Sequence, residues 1–305
     1  VLIAGMPKSG TTALAAAVNA AAGGRCVFEP MAYEQAAAVP DCSVIKIVYA
    51  EHDRRSLREV MHEFSACEKR VWIARDPRDQ LVSIFLYTWF RAHRMPEDRF
   101  QQALDFARRK ESGERIPFHE VLERTFGAST YYHDPSYYLD RVMPFFESTD
   151  ANSVVKFSYD DLIAGRFAAL SDYLGIPVAG AEVHPDHQRV VRSKSSGSWR
   201  TWFEPEDVAK FRPFLASYMD KIGIADEWET TSEPPQPALA SWYMLWLRAG
   251  ATGPRPASAE EAEAALIAAD QAAEEAAMQV KQDAAAQTEE ESSLTQAHAP
   301  PSAEP

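Results

Sequence analysis

The residues with the clearest chemical potential stand in one short stretch, GMPKSGTTAL, residues 5 to 14. Gly5 and Gly10 keep the spacing of a phosphate-binding G-x-x-x-x-G-K-[ST] loop. Thr11, however, occupies the lysine position, and Lys8 sits inside the turn. The apolar run Val1 to Ala4 leads in and an alanine-rich segment follows. A strand, a glycine turn and a helix start together offer an anion backbone N–H groups and the positive end of a helix dipole. Gly10 permits the tight turn, and Thr11 and Thr12 add hydroxyl donors. Without a lysine after Gly10, chemistry at a β/γ-phosphate bond is disfavoured. Lys8 instead suits a bridging oxygen on a leaving phosphate. A ligand-free Gly-Ser turn is the plain alternative, and the strand and helix flanks count against it.

Such a loop needs a strand before it and a helix after it, and the chain repeats that alternation. VLIAG, SVIKIVYA, RVWIARD and SVVKFSY read as strands, and helical periodicity follows them, as in Thr11 to Ala22, Pro77 to His93 and Asp160 to Leu174. This predicts an α/β fold in three layers, α/β/α, with a central parallel sheet. RDPRD and YDDL then fall at strand-to-helix transitions, where open α/β sheets hold ligands. Residues 95–146 read as a helical, aromatic insertion over that end of the sheet, closing in STYYHDPSYYLDRVMPFF. Any single Tyr there suits a core-facing position better than a ligand contact.

After Trp228 the composition changes. ETTSEPPQPALA reads as a Pro-rich linker and SWYMLWLRAG as a short patch that docks on the domain. Ser258 with Glu261 forms a capping box ahead of an Ala/Glu-rich helix, and the acidic end reads as disordered. The expected division is a catalytic domain over 1–229, linker and patch over 230–257, and helix and tail over 258–305. No internal repeat interrupts it.

The 305 residues are 46% hydrophobic and 11% aromatic, enough for a substantial core. A net charge of −14 and a pI near 5.1 argue against nucleic acid as a partner. Residues 231–305 hold twelve Asp and Glu against Arg248, Arg255 and Lys281, so they carry −9 of that charge. The rest is close enough to neutral for a local basic pocket. Cys26, Cys42 and Cys67 lack metal-ligand spacing and read as reduced thiols of a cytoplasmic protein. No apolar run approaches the roughly 20 residues of a membrane span, and WYMLWL is too short. The chain opens inside a strand, so an upstream segment, a targeting peptide included, can precede it. No metal cluster is visible, and the oligomeric state is open, a homodimer included.

PKSGTTAL resembles the 5′-phosphosulfate loop of sulfotransferases that use 3′-phosphoadenosine 5′-phosphosulfate (PAPS). The resemblance implies that Lys8, Ser9, Gly10, Thr11 and Thr12 bind the cofactor. RDPRDQLVS is similar to that family's 3′-phosphate motif, which puts Arg75 and Ser83 on a second, separate phosphate. Taken alone, Arg75 reads equally as a structural ion-pair residue. FSYDDLI resembles the segment whose tyrosine lies beside the adenine, here Tyr159. RSKSSGSWRTWF resembles the family's closing segment, with Arg192, Gly197 and Trp199 in register. Ser193 holds the place of its second basic residue, and Lys194 that of its glycine. Ala13 stands where cytosolic members carry an adenine-stacking tryptophan. Together these motifs span about residues 1 to 203. They imply transfer of a sulfuryl group from PAPS to a hydroxyl or amine, with adenosine 3′,5′-bisphosphate released and no metal needed. The acceptor expected is a carbohydrate, a glycolipid or a small molecule.

Sulfuryl transfer needs cations on the leaving group and a base on the nucleophile. Lys46 matches the strand lysine of the cytosolic members, but Val48 holds their histidine position. Carbohydrate sulfotransferases place a glutamate base in a Glu-Pro turn after the first helix, and VFEPMAY puts Glu29 in that context. His52, in YAEHD, is the second candidate, against a surface or capping role. Lys8 and Lys46 are the expected electrophilic partners. Two other classes stay open at this point: a kinase-like phosphotransferase sharing the loop, and a non-catalytic adenine-nucleotide binder.

Overall fold

A computed structural model describes residues 1–48, 57–90, 96–126, 154–251, 253–272, 274–275, 278–279 and 282. Five strands form one sheet: β1 Leu2–Gly5, β2 Arg25–Phe28, β3 Cys42–Val48, β4 Arg70–Ala74 and β5 Val155–Ser158. Their order is β2-β3-β1-β4-β5 and every pairing is parallel. β2 is an edge strand that escapes a sequence reading, because four residues are too few to show a period. The expected three-layer α/β/α fold is the one observed.

Alternation along the strands sorts the core into two layers. Ile3, Val44, Val71, Ile73 and Phe157 pack under Leu14, Ala15 and Val18 of α1, Thr11–Ala22. Leu2, Ala4, Ile45, Ile47, Trp72 and Ala74 face the other way. After the short helices α2, Tyr33–Ala37, and α3, Leu57–Glu63, come α4, Pro77–Tyr87, and α5, Glu97–Glu111, and these residues pack beneath α4 and α5. Pro77 opens α4 at a position that needs no N–H donor, and Asp76 caps it by accepting from Arg78 N at 2.9 Å. The segment Asp160 to Leu174 is two helices, Tyr159–Ile163 and Ala168–Leu174, where one continuous helix is predicted. Gly165 takes φ 69° between them, a left-handed conformation that ends the first.

Within the helical insertion, Phe106 of α5 and Phe118 of the helix Phe118–Phe126 meet Phe85 and Trp202 in the core. STYYHDPSYYLDRVMPFF lies outside the described residues. Beyond Trp228 the chain returns to the domain. In the helix Ser241–Arg248, Tyr243, Met244 and Leu247 are fully buried. Its start is capped from α5, since Glu111 accepts from Ser241 N at 2.7 Å and from Ser241 Oγ at 2.8 Å. At 258–261 the serine half of the predicted capping box is made, and the glutamate reaches one residue further back than the cap's own N–H. Ser258 Oγ accepts from Glu261 N at 3.2 Å, and Glu261 Oε2 accepts from Ala257 N at 2.8 Å. Of the helix that follows, Ala262 reaches the core. Among the described residues no helix is long and apolar enough to cross a membrane. Cys26, Cys42 and Cys67 are all free thiols.

Candidate active site

β1 lies between β3 and β4, so the C-terminal ends of these three strands lie together at one end of the sheet. They border a cleft of about 1100 Å³ whose lining includes Lys8, Thr11, Glu29, Lys46, Arg75 and Arg192. Gly10, Thr12, Ser83, Tyr159, Ser193 and Lys194 line it as well. Nearly every residue singled out from the sequence therefore shares one cavity. Ser9 is buried below it, and its hydroxyl donates to Met6 O at 2.8 Å. His52 lies outside the described residues.

The loop is built by its neighbours. Lys8 has φ 63° and Gly10 φ 100°, and a left-handed backbone at a residue with a Cβ costs roughly 1–2 kcal/mol. Three successive carbonyls hold that shape: Met6 O accepts from Ser9, Pro7 O from Gln80 Nε2 at 3.0 Å, and Lys8 O from Arg75 Nη1 at 2.9 Å. Gly10 is constrained a second time, because a Cβ there would lie 2.8 Å from Tyr159 Cδ2 and 3.1 Å from Leu162 Cδ2. The loop and Tyr159 thus touch where a side chain at residue 10 would stand.

Lys8 Nζ donates to Val190 O at 3.2 Å and stands 3.6 Å from the Tyr87 ring centroid. Burial, then the charges of Arg75, Arg192, Lys46 and Arg189, hold its pKa well below the usual lysine value. An anion placed among these cations would favour the ammonium form. Arg75 is buried; its Nη1 also donates to Ser83 Oγ at 3.1 Å, and its guanidinium sits 4.2 Å from the Tyr159 ring centroid. Arg192 is equally buried. It donates to Ser198 Oγ at 2.8 Å and to Leu239 O at 3.4 Å. Burial, then Arg75, lowers its pKa from the ordinary arginine value. The Nε of both arginines is buried with no hydrogen-bond partner. Buried orphan donors are rare and point to a missing acceptor.

A second cluster lies where β2 ends. Glu29 adopts φ 51°, its N donates to Lys46 O at 2.8 Å, and its Oε2 accepts from Val48 N at 2.7 Å. Its Oε1 pairs with the ammonium of Lys46, a buried residue, while the Glu29 side chain remains 31% exposed. Phe28 beside it packs on His187 with ring centroids 4.6 Å apart, and Phe28 and Met31 are exposed. Burial, then Arg189, lowers the His187 pKa.

Sequence reasoning missed Asp79. This fully buried carboxylate accepts from Gly197 N at 2.6 Å, Ser198 Oγ at 2.8 Å and Trp199 N at 2.9 Å. It ties the closing segment to α4, and Ser198 passes that tie to Arg192. The second acid of RDPRD is its only trace in the sequence. Arg78, over Trp199 at 4.1 Å and Trp228 at 4.6 Å, was missed as well. So were Trp246 and Arg255, which bring the 230–257 segment into the cleft wall. Among the described residues, no group of three His, Cys, Asp or Glu could hold a metal ion.

The family model of the sulfotransferase domain matches residues 1–185. Among solved structures, mouse sulfotransferase SULT7A1 complexed with PAP is similar in fold at 17% identity and a TM-score of 0.50. The match covers 72% of this chain and 83% of that one. No curated protein sequence matches the chain.

Proposed function

The chain belongs to the sulfotransferase domain family and is a PAPS-dependent sulfotransferase, and from that premise we propose that it sulfates a hydroxyl of a carbohydrate, glycolipid or small molecule with Glu29 as base. The observation that carries the nucleotide half is the pair of buried guanidiniums, Arg75 and Arg192. Each has an unpartnered Nε beside a cleft that Lys8 also enters. On this reading Arg75, Ser83 and Arg192 take the 3′-phosphate, with Ser193 and Lys194 at the rim. Thr11, Thr12 and the N–H groups of the loop take the 5′ side, and Tyr159 lies beside the base.

PAPS supplies a sulfuryl group whose bond to the 5′-phosphate oxygen breaks as a bond to the acceptor oxygen forms, leaving a sulfate ester and adenosine 3′,5′-bisphosphate. Glu29 removes the acceptor proton; a carboxylate accepts up to four hydrogen bonds, so its two present partners leave room. Lys46 holds Glu29 in place and has two further N–H groups for sulfonate oxygens. Lys8 neutralises the charge developing on the leaving phosphate. The exposed Phe28 and Met31, with the Phe28–His187 pair, offer a flat apolar surface next to Glu29 that suits a sugar face or an aryl ring. Residues 1–229 are the working catalytic unit, with 230–257 joining its wall and 258–305 appended. Three free thiols suit a reducing, cytoplasmic setting.

Titration with adenosine 3′,5′-bisphosphate and with ATP tests the reading. Binding should favour the bisphosphate, Arg75→Ala should abolish that preference, and labelled sulfate should pass from PAPS to an acceptor. A preference for ATP would overturn it.

A further inference from the structure

The stretch 189–193 begins in the last two residues of the short 3-10 turn Pro185–Val190 and runs along the cleft wall. Its five consecutive carbonyl oxygens each accept a side-chain hydrogen bond. Tyr243 Oη donates to Arg189 O at 2.7 Å, and Lys8 Nζ to Val190 O at 3.2 Å. Arg255 donates through Nη2 to Val191 O and through Nη1 to Arg192 O at 2.6 Å. Tyr159 Oη donates to Ser193 O at 3.1 Å. A chain passing through protein without a sheet partner needs such donors, since buried carbonyls are seldom left unpaired. Lys8 and Tyr159 belong to the site already described. Tyr243 and Arg255 come from beyond residue 185, where the family model's match ends.

We propose that Arg255 is a positioning residue that sets selectivity for the 3′-phosphate. Its fork grips the main chain on either side of the Arg192 Cα, at the carbonyls of Val191 and Arg192, and so fixes the root of the Arg192 side chain. Two neighbouring carbonyls held by one planar group is a task for arginine; an ammonium would carry the charge without the paired geometry. The Arg255 guanidinium itself lies beside two rings, 5.1 Å from the Tyr243 centroid and 5.5 Å from that of Trp246. Tyr243 therefore serves twice, through its hydroxyl on Arg189 O and through its ring on Arg255. Arg192 is anchored at its far end too, by Ser198 and Leu239 O. Both ends of that side chain are then fixed before a ligand arrives, which lowers the ordering cost of binding. The inference rests on the reading that Arg75 and Arg192 hold the 3′-phosphate.

Calorimetric titration of the full chain with adenosine 3′,5′-bisphosphate and with adenosine 5′-monophosphate tests it, because only the first carries the 3′-phosphate. In Arg255→Ala the preference for the bisphosphate should fall by about tenfold or more, while monophosphate affinity changes by less than about twofold. Arg255→Lys should recover only part of the preference. An unchanged preference in Arg255→Ala overturns the proposal, as does an equal loss for both nucleotides, which would mark a general structural role. If Arg255→Ala does not fold, a fully wild-type preference in Arg255→Lys overturns the proposal instead. A wild-type chain without any preference would locate the error in the Arg75–Arg192 clamp rather than in Arg255.

Discussion

Glu29 and Lys46 hold one another in a geometry that a neutral amide cannot reproduce. Glu29→Gln should keep the Val48 N contact through its carbonyl oxygen but lose the charge that accepts a proton. Its kcat should fall by about 10²-fold or more with nucleotide affinity intact; near-normal turnover would remove Glu29 from the base position. Lys8 makes a different kind of prediction. Its pKa in the unliganded protein is depressed, mainly by burial and then by the surrounding cations, from the ordinary 10.5. Between the depressed and ordinary values the unliganded amine is neutral, and an anionic ligand restores the ammonium. Nucleotide binding should therefore take up a proton in that window, and affinity should fall as pH rises through it. Over the same window the unliganded fold gains stability with pH, because the unfolded chain holds a proton that the folded one has lost. Titrations in two buffers of different ionisation enthalpy should give different heats for the wild type and equal heats for Lys8→Ala.

At the scale of elements, α4 is the part that assembles the site. Within its first seven residues it supplies Asp79 to the closing segment, Gln80 to the loop and Ser83 to Arg75. Asp79→Asn turns one acceptor oxygen into a donor facing main-chain N–H groups. It should cost about 1–3 kcal/mol in urea denaturation and weaken bisphosphate binding through Ser198 and Arg192. Unaltered stability would show that Asp79 is dispensable. The sequence makes much of this region legible. The glycine loop, four of the strands and the arginine-to-serine spacing all follow from local patterns of residue type. Asp79 does not, because its partners lie 118 to 120 positions away and nothing near it in the chain marks it as an acceptor. Arg255 fails for the same reason: it grips main-chain carbonyls, which carry no sequence signature. β2 and the break at Gly165 are missed because one is shorter than a readable period and the other is a single residue's backbone angle.

For the molecule as a whole, the charge and the core are divided differently along the chain. Most of the negative charge falls after residue 230, yet that region also sends a fully buried helical face into the main core. Leu247→Ala should therefore cost about 2–5 kcal/mol and lower the midpoint of one cooperative urea transition. A separate early transition would instead mark Ser241–Arg248 as an independently melting unit.

The place of β1 in the sheet has a consequence for how the protein comes into being. The strand that bears the glycine loop is central, but its partners lie at Cys42–Val48 and Arg70–Ala74, and the donors that brace the facing carbonyls at Tyr243 and Arg255. As the chain leaves the ribosome, the loop emerges well before anything that can hold its shape. The candidate nucleotide loop is thus translated well before the residues that complete its site, and the nascent chain must carry a central strand with two open edges until its neighbours follow.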